Sequence, residues 1–223
     1  MEKVFIVVEG IADQVLLVDI FSHIFGISHE VAFSRKDKVN DKKNLVVDLK
    51  AKSENVSSFQ ITFLKASTNG QSIKTQKINE IRTATDGLNF KTLFILDADA
   101  PNFKETKESL IKNFGDENVQ LPESDIFLLP DDSSDGCLEN LLVQIVGDQS
   151  QSIFECFESY KDCIRNLNPG YTKPDLKTKI YAYSEIITKS GNERSRDYTD
   201  PEVWNLNHEA LKPLTNFLKT HLS

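Results

Sequence analysis

Three short apolar runs that end in carboxylates restrict this fold more than any other feature of the chain. They read Val4-Phe5-Ile6-Val7-Val8-Glu9, Thr92-Leu93-Phe94-Ile95-Leu96-Asp97-Ala98-Asp99 and Ile126-Phe127-Leu128-Leu129-Pro130-Asp131-Asp132. Continuous apolar runs rich in β-branched residues fit strands covered on both faces, as in a parallel sheet. Helical patterns alternate with them, at Ile11 to Phe25, Ile73 to Ala84, Pro101 to Phe114 and Leu138 to Val146. Further strands are expected at Leu45 to Leu49 and Phe59 to Leu64, and the chain from Gln151 onward reads as mainly helical. In that part Thr178 to Ile187 and Glu209 to Leu222 have the clearest helical pattern. The alternation indicates an α/β fold, a mainly parallel sheet flanked by helices over residues 1–148. Residues 149–223 form a helical C-terminal extension packed on that core, and a polar, lysine-containing stretch at 34–58 reads as an insertion.

In open α/β sheets ligands bind outside the carboxyl ends of the strands. Acids gathered there repel one another unless a cation or protons intervene. Mg²⁺ takes carboxylate oxygens and keeps waters that a phosphate can displace, and Mn²⁺ accepts the same donors. Asp97 and Asp99 stand two apart, so in extended backbone both face one metal environment. The competing structural reading makes such acids helix caps, favoured by the free N–H groups of the next helix. It competes most strongly for Asp13.

A formal net charge of −8 argues against attraction of the whole surface to nucleic acid or to an anionic membrane. The densest positive segment runs from Arg35 to Lys43, with Lys50 and Lys52 beyond it. Acids interrupt it and no aromatic residue is interleaved for base stacking, so a solvated hairpin is the better reading. The three cysteines form no C-x-x-C pair, which fits a reducing cytosol. The N-terminal apolar run is too short for a signal peptide, and no later run approaches the roughly 18 apolar residues of a membrane span. A cytoplasmic protein without a membrane partner is expected. The four histidines lack metal-motif spacing, and no Ser-His-Asp arrangement emerges.

The segment Val8-Glu9-Gly10-x-x-Asp13 resembles the glutamate motif of the TOPRIM domain, and Phe94 to Asp99 resembles its D-x-D motif. The later residues are similar to small stand-alone TOPRIM proteins related to OLD-type nucleases. The similarity lies in Pro130-Asp131-Asp132 with Gly136-x-Leu138-Glu139, in Lys177-x-Lys179-Ile180-Tyr181, and in Trp204 and Leu211-x-Pro213-Leu214. The resemblance implies Mg²⁺-dependent cleavage of phosphodiester bonds in nucleic acid, with DNA favoured over RNA. By that resemblance Glu9 moves the proton or shares the metal, and Asp97 and Asp99 hold the metal. Asp13 and Glu139 supply further ligands, and Lys179 (or Lys177 in its place) stabilises charge on the phosphate. Two departures stand out. Glu9 and Asp97 are further apart than in the compact family pattern, which the 34–58 segment explains, and Ala100 replaces the usual glycine.

Topoisomerase chemistry would need a nucleophilic tyrosine and strand-passage domains, so hydrolysis is the expected reaction. Three other readings compete with it. A haloacid-dehalogenase-like phosphatase also uses D-x-D, but near the N-terminus and followed by Gly-Thr rather than Ala100-Pro101. A receiver-like signalling domain would carry an acidic pair after the first strand, where this chain has Glu9-Gly10. A non-catalytic TOPRIM protein would bind metal or nucleic acid, or serve in a defence system. A homodimer or a partner protein is left open.

Overall fold

The apolar runs that end in acid form strands and the segments of helical pattern form helices in the structure, a computed structural model. It describes residues 2–26, 44–49, 59–65, 81, 91–98, 102–147, 150–171, 174–189, 193 and 196–222. Strand β1 (Glu2–Val8) leads into helix α1 (Ile11–Ile24), then β2 (Asn44–Leu49), β3 (Phe59–Lys65) and β4 (Lys91–Asp97). Helix α2 (Phe103–Asp116) and strand β5 (Ile126–Leu129) follow, then helices α3 (Leu138–Gln144), α4 (Gln151–Leu167), α5 (Leu176–Thr188) and α6 (Lys212–Leu222). Of the expected helix at 73–84 only Ile81, helical and buried, lies within the described residues. Most of the 34–58 segment lies outside them, apart from β2.

The sheet has the order β2-β3-β1-β4-β5. β3, β1, β4 and β5 are parallel neighbours, and β2 pairs antiparallel with β3 at one edge. The side-chain alternation of the strands divides the core in two. Val4, Ile6 and Val8 of β1, with Leu93, Ile95, Phe127 and Leu129, face a large cluster that includes α1, α3 and the C-terminal helices. Phe5 and Val7, with Phe94, Leu96, Ile126 and Leu128, face a smaller cluster built with Leu110 and Phe114 of α2. Helices therefore cover both faces, as a doubly wound fold requires.

Helix α1 is not amphipathic. Every residue from Ala12 to Ser22 is buried, because the sheet covers one side and the C-terminal residues cover the other. Tyr198 donates its N–H to Asp19 Oδ2 of α1 over 2.8 Å. Fully buried Trp204 packs edge-on against Tyr183 of α5 and tilted against Tyr198. Its backbone bridges antiparallel to Val146, and the next residue, Gly147, lies so close that a Cβ there would sit 2.8 Å from the Glu202 carbonyl oxygen. Among the described residues no helix is long and apolar enough to cross a membrane.

Candidate metal centre

β1 and β4 are adjacent and parallel, with Val7 opposite Phe94, so Glu9 and Asp97 emerge side by side at their carboxyl ends. From β1 the chain goes on to β2 and β3 on one side, whereas β4 leads to β5 on the other. Such a divergence of connections opens a crevice at the strand ends. Asp97 donates its backbone N–H to Glu9 Oε1 over 3.3 Å and accepts the Leu138 N–H at Oδ1 over 2.8 Å. The next N–H, of Ala98, is shared between the carbonyls of Leu129 and Gly136, which ties the β4 end to β5 and to the loop before α3. Asp13, in the first turn of α1, accepts the Gly10 N–H at 2.7 Å, and Glu139 stands in the first turn of α3.

Burial dominates the electrostatics of these acids, and their mutual repulsion adds to it. Burial first, then the charges of Asp13 and Glu9, and beyond them Glu139, push the Asp97 carboxyl up to about 9 against the lowering effect of the Leu138 N–H. Burial pushes Asp13 up to about 7; the N–H groups of Gly10 and Asp13 oppose it, and Glu139 and Glu193 add to it. Burial and the neighbouring charges therefore favour the protonated form of Asp97 at neutral pH and leave Asp13 near its midpoint.

The other acids and lysines divide clearly. Asp99 lies outside the described residues. The acids after β5 are committed to the loop that carries them. Asp131 accepts the N–H and hydroxyl groups of Ser133 and Ser134; burial acts against these donors, yet they hold its carboxyl below the usual range. Asp132 accepts the Leu128 N–H and grips buried Lys107 through both oxygens at 3.2 Å. Lys179 does not reach the acids. Its ammonium lies 3.0 Å from Glu158 and 4.4 Å from the Phe154 ring centre, both on α4. Lys177 approaches from the other side, 3.6 Å from Glu193, the residue that raises Asp13. Tyr181 also donates its hydroxyl to Glu193, and the Arg196 guanidinium lies 5.0 Å from the Tyr181 ring centre. Glu193 and Arg196 had no motif to mark them in the sequence, whereas Tyr181 lies in the Lys177-x-Lys179-Ile180-Tyr181 segment.

A family model described as "Protein of unknown function (DUF3226)" matches residues 3–223. The chain belongs to the DUF3226 family. No curated protein and no solved structure matched it. In this DUF3226 chain the donor set of Glu9, Asp13, Asp97 and Glu139 consists of hard carboxylate oxygens, which fits Mg²⁺ or Mn²⁺ and not a soft metal. Among the described residues no group of three or more acids, histidines or cysteines is placed to hold a metal ion.

Proposed function

We propose that this protein cleaves phosphodiester bonds in nucleic acid with the help of Mg²⁺ or Mn²⁺, as a TOPRIM-type nuclease. The observation that carries this reading is the placement of Glu9 against the Asp97 backbone at two adjacent parallel strand ends, with Asp97 held by the start of α3; burial, and after it the charges of Asp13, Glu9 and Glu139, push Asp97 up to about 9. Asp97, Asp13 and Glu139 would hold the metal, together with Asp99 by the resemblance of its motif. A bound ion would neutralise charge on the phosphate and polarise its oxygens. Glu9 lies against the Asp97 backbone, where it is held to take or return a proton. Leu138 fixes the Asp97 carboxylate through one oxygen and leaves the second for ligation. Lys177 is better placed than Lys179 to meet phosphate charge at this site, since it already approaches Glu193.

Cleavage of supercoiled DNA, single-stranded DNA and RNA with Mg²⁺ and with Mn²⁺ tests the proposal. Wild type should cut at least one of these substrates, DNA before RNA, and Glu9→Gln should lower the rate about 10²-fold or more. Cleavage that survives Glu9→Gln unchanged excludes the mechanism. One observation favours a second reading, a TOPRIM-fold protein that binds metal or nucleic acid without turnover or acts in a defence system. The commitment of Lys179 to Glu158 removes the residue the family resemblance cast as the phosphate-stabilising lysine. Absence of cleavage with both metals and all substrates, alongside retained Mn²⁺ binding, would establish that reading instead.

A further inference from the structure

Helix α4 is buried only in its first half. Phe154 and Phe157 are covered, whereas no residue of the helix after Phe157 is buried. Its apolar pattern nevertheless continues to the end. Ile153, Phe157, Tyr160, Ile164 and Leu167 follow one another at intervals of four, three, four and three residues. That is the 3.5-residue repeat of a helix packed along a second helix. Tyr160 is 51% exposed and Leu167 69%. Helix α5 meets the stripe near its start, where the Phe154 ring stands edge-on to Tyr183. There a groove of about 470 Å³ opens between the two helices, walled by Ile153, Phe157 and Tyr160 of α4 and by Ala182 and Ile186 of α5. Ile186 is itself 62% exposed. The Lys179 ammonium, over the Phe154 ring and 3.0 Å from Glu158, belongs to this groove.

A hollow at one end of a helix and an apolar projection at the other make a self-complementary surface. A two-fold axis sets one patch against its own copy. With the helices antiparallel and centred on Tyr160, Leu167 of each copy reaches the groove beside Ile153 of the other. Charge favours the same orientation. Glu155 and Glu158 precede Tyr160, whereas Lys161 and Arg165 follow it, with Asp162 the single acid of the second half. The first half is therefore negative and the second carries a net positive charge. Antiparallel helices set unlike halves together, and parallel helices would set like halves together. We propose that this protein forms a symmetric homodimer through α4, antiparallel about Tyr160, with Ile164 and Leu167 of each copy filling the groove between α4 and α5 of the other. The acid site stays open in that dimer, because Lys177 and Tyr181 of α5 turn to Glu193 while Lys179 and Ile186 line the groove.

Sedimentation equilibrium of the full-length chain in reducing buffer should show monomer and dimer exchanging in the micromolar range. Leu167→Glu and Ile186→Glu should each weaken association about 10-fold or more, since each buries a carboxylate in an apolar contact. Both side chains are exposed in the single chain, so neither change should shift Tm where wild type is monomeric. Mn²⁺ binding should be unchanged as well, because neither residue touches the acids. A short bismaleimide reports the orientation through Cys156 and Cys163, both exposed. Cys156→Ser and Cys163→Ser proteins, mixed and left to exchange, should give more crosslinked dimer than either alone, with peptide mass spectrometry joining Cys163 of one to Cys156 of the other. A wild type that stays monomeric into the high micromolar range overturns the proposal and leaves the stripe to a different protein. So does a dimer that both glutamate variants leave intact. Crosslinking within each serine variant that mixing does not increase would mark parallel helices and overturn it too.

Discussion

At Asp97 the Leu138 N–H favours the ionised carboxylate, while burial and the charges of Asp13, Glu9 and Glu139 disfavour it. The folded protein thus keeps protons on Asp97 and Asp13 that the unfolded chain loses above about pH 3.9. Wherever the native state binds more protons, stability falls as pH rises. For Asp13 that fall ends near about 7 and for Asp97 near about 9. In EDTA, Tm should be higher at pH 5 than at pH 8, and Asp97→Asn should raise it at pH 8, since asparagine retains the acceptor for Leu138 and carries no charge. A lower Tm for Asp97→Asn at pH 8 would show that its charge supports the fold. Lys177→Ala and Lys179→Ala offer a second comparison. Loss of Lys177 should lower kcat of cleavage more than loss of Lys179, and the reverse order would place the Lys179 ammonium on the phosphate during the reaction. At this scale the sequence revealed the meeting of Glu9 with Asp97, because two apolar runs ended in acid and parallel strands align their ends. It did not reveal that Asp131 and Asp132 turn inward to serine hydroxyls, backbone N–H groups and Lys107. An acid after a strand looks the same in sequence whether it closes a loop or holds an ion. Arg196 and Glu193 were invisible because no helical or strand periodicity surrounds them.

The elements themselves were legible wherever burial imposes a period. β1, β4, β5 and α1 fall within two residues of their sequence boundaries, because the apolar run and the buried segment coincide. The C-terminal amphipathic segment divides into a 3₁₀ turn at Glu209–Leu211 and α6, with the His208 imidazole accepting the Ala210 N–H at the start. Strand order was not legible, since nothing local tells β1 to lie between β3 and β4. The antiparallel pairing of β2 likewise arises only from the whole sheet. One contact between elements is fixed by a missing side chain: Gly147 lies under the Glu202 carbonyl, where a methyl group would collide with backbone. Gly147→Ala should cost about 1–3 kcal/mol by overpacking, read as a lower urea midpoint with an unchanged m-value. A wild-type midpoint would mean that the Val146–Trp204 bridge gives way without cost.

For the molecule as a whole, a cation that binds the native acids and not the unfolded chain stabilises by mass action. At 100 times Kd the gain is about 2.7 kcal/mol. Protons compete for the same oxygens, so Mg²⁺ should raise Tm more at pH 8 than at pH 5. An equal rise at both values, or the same rise in Asp97→Asn, would locate the ion elsewhere. The burial of α1 on all sides also has a consequence in time. A ribosome releases α1 early and the residues that cover its outer face, Tyr198 to Leu222, last. Until then Val15, Leu16, Ile20 and their neighbours have the sheet on one side and water or a chaperone on the other. A nascent chain stalled after residue 148 should therefore stay sensitive to protease and bind a hydrophobic dye. Release of the full chain should abolish both within the folding time, whereas a stalled chain already resistant to protease would mean that the early core closes by itself.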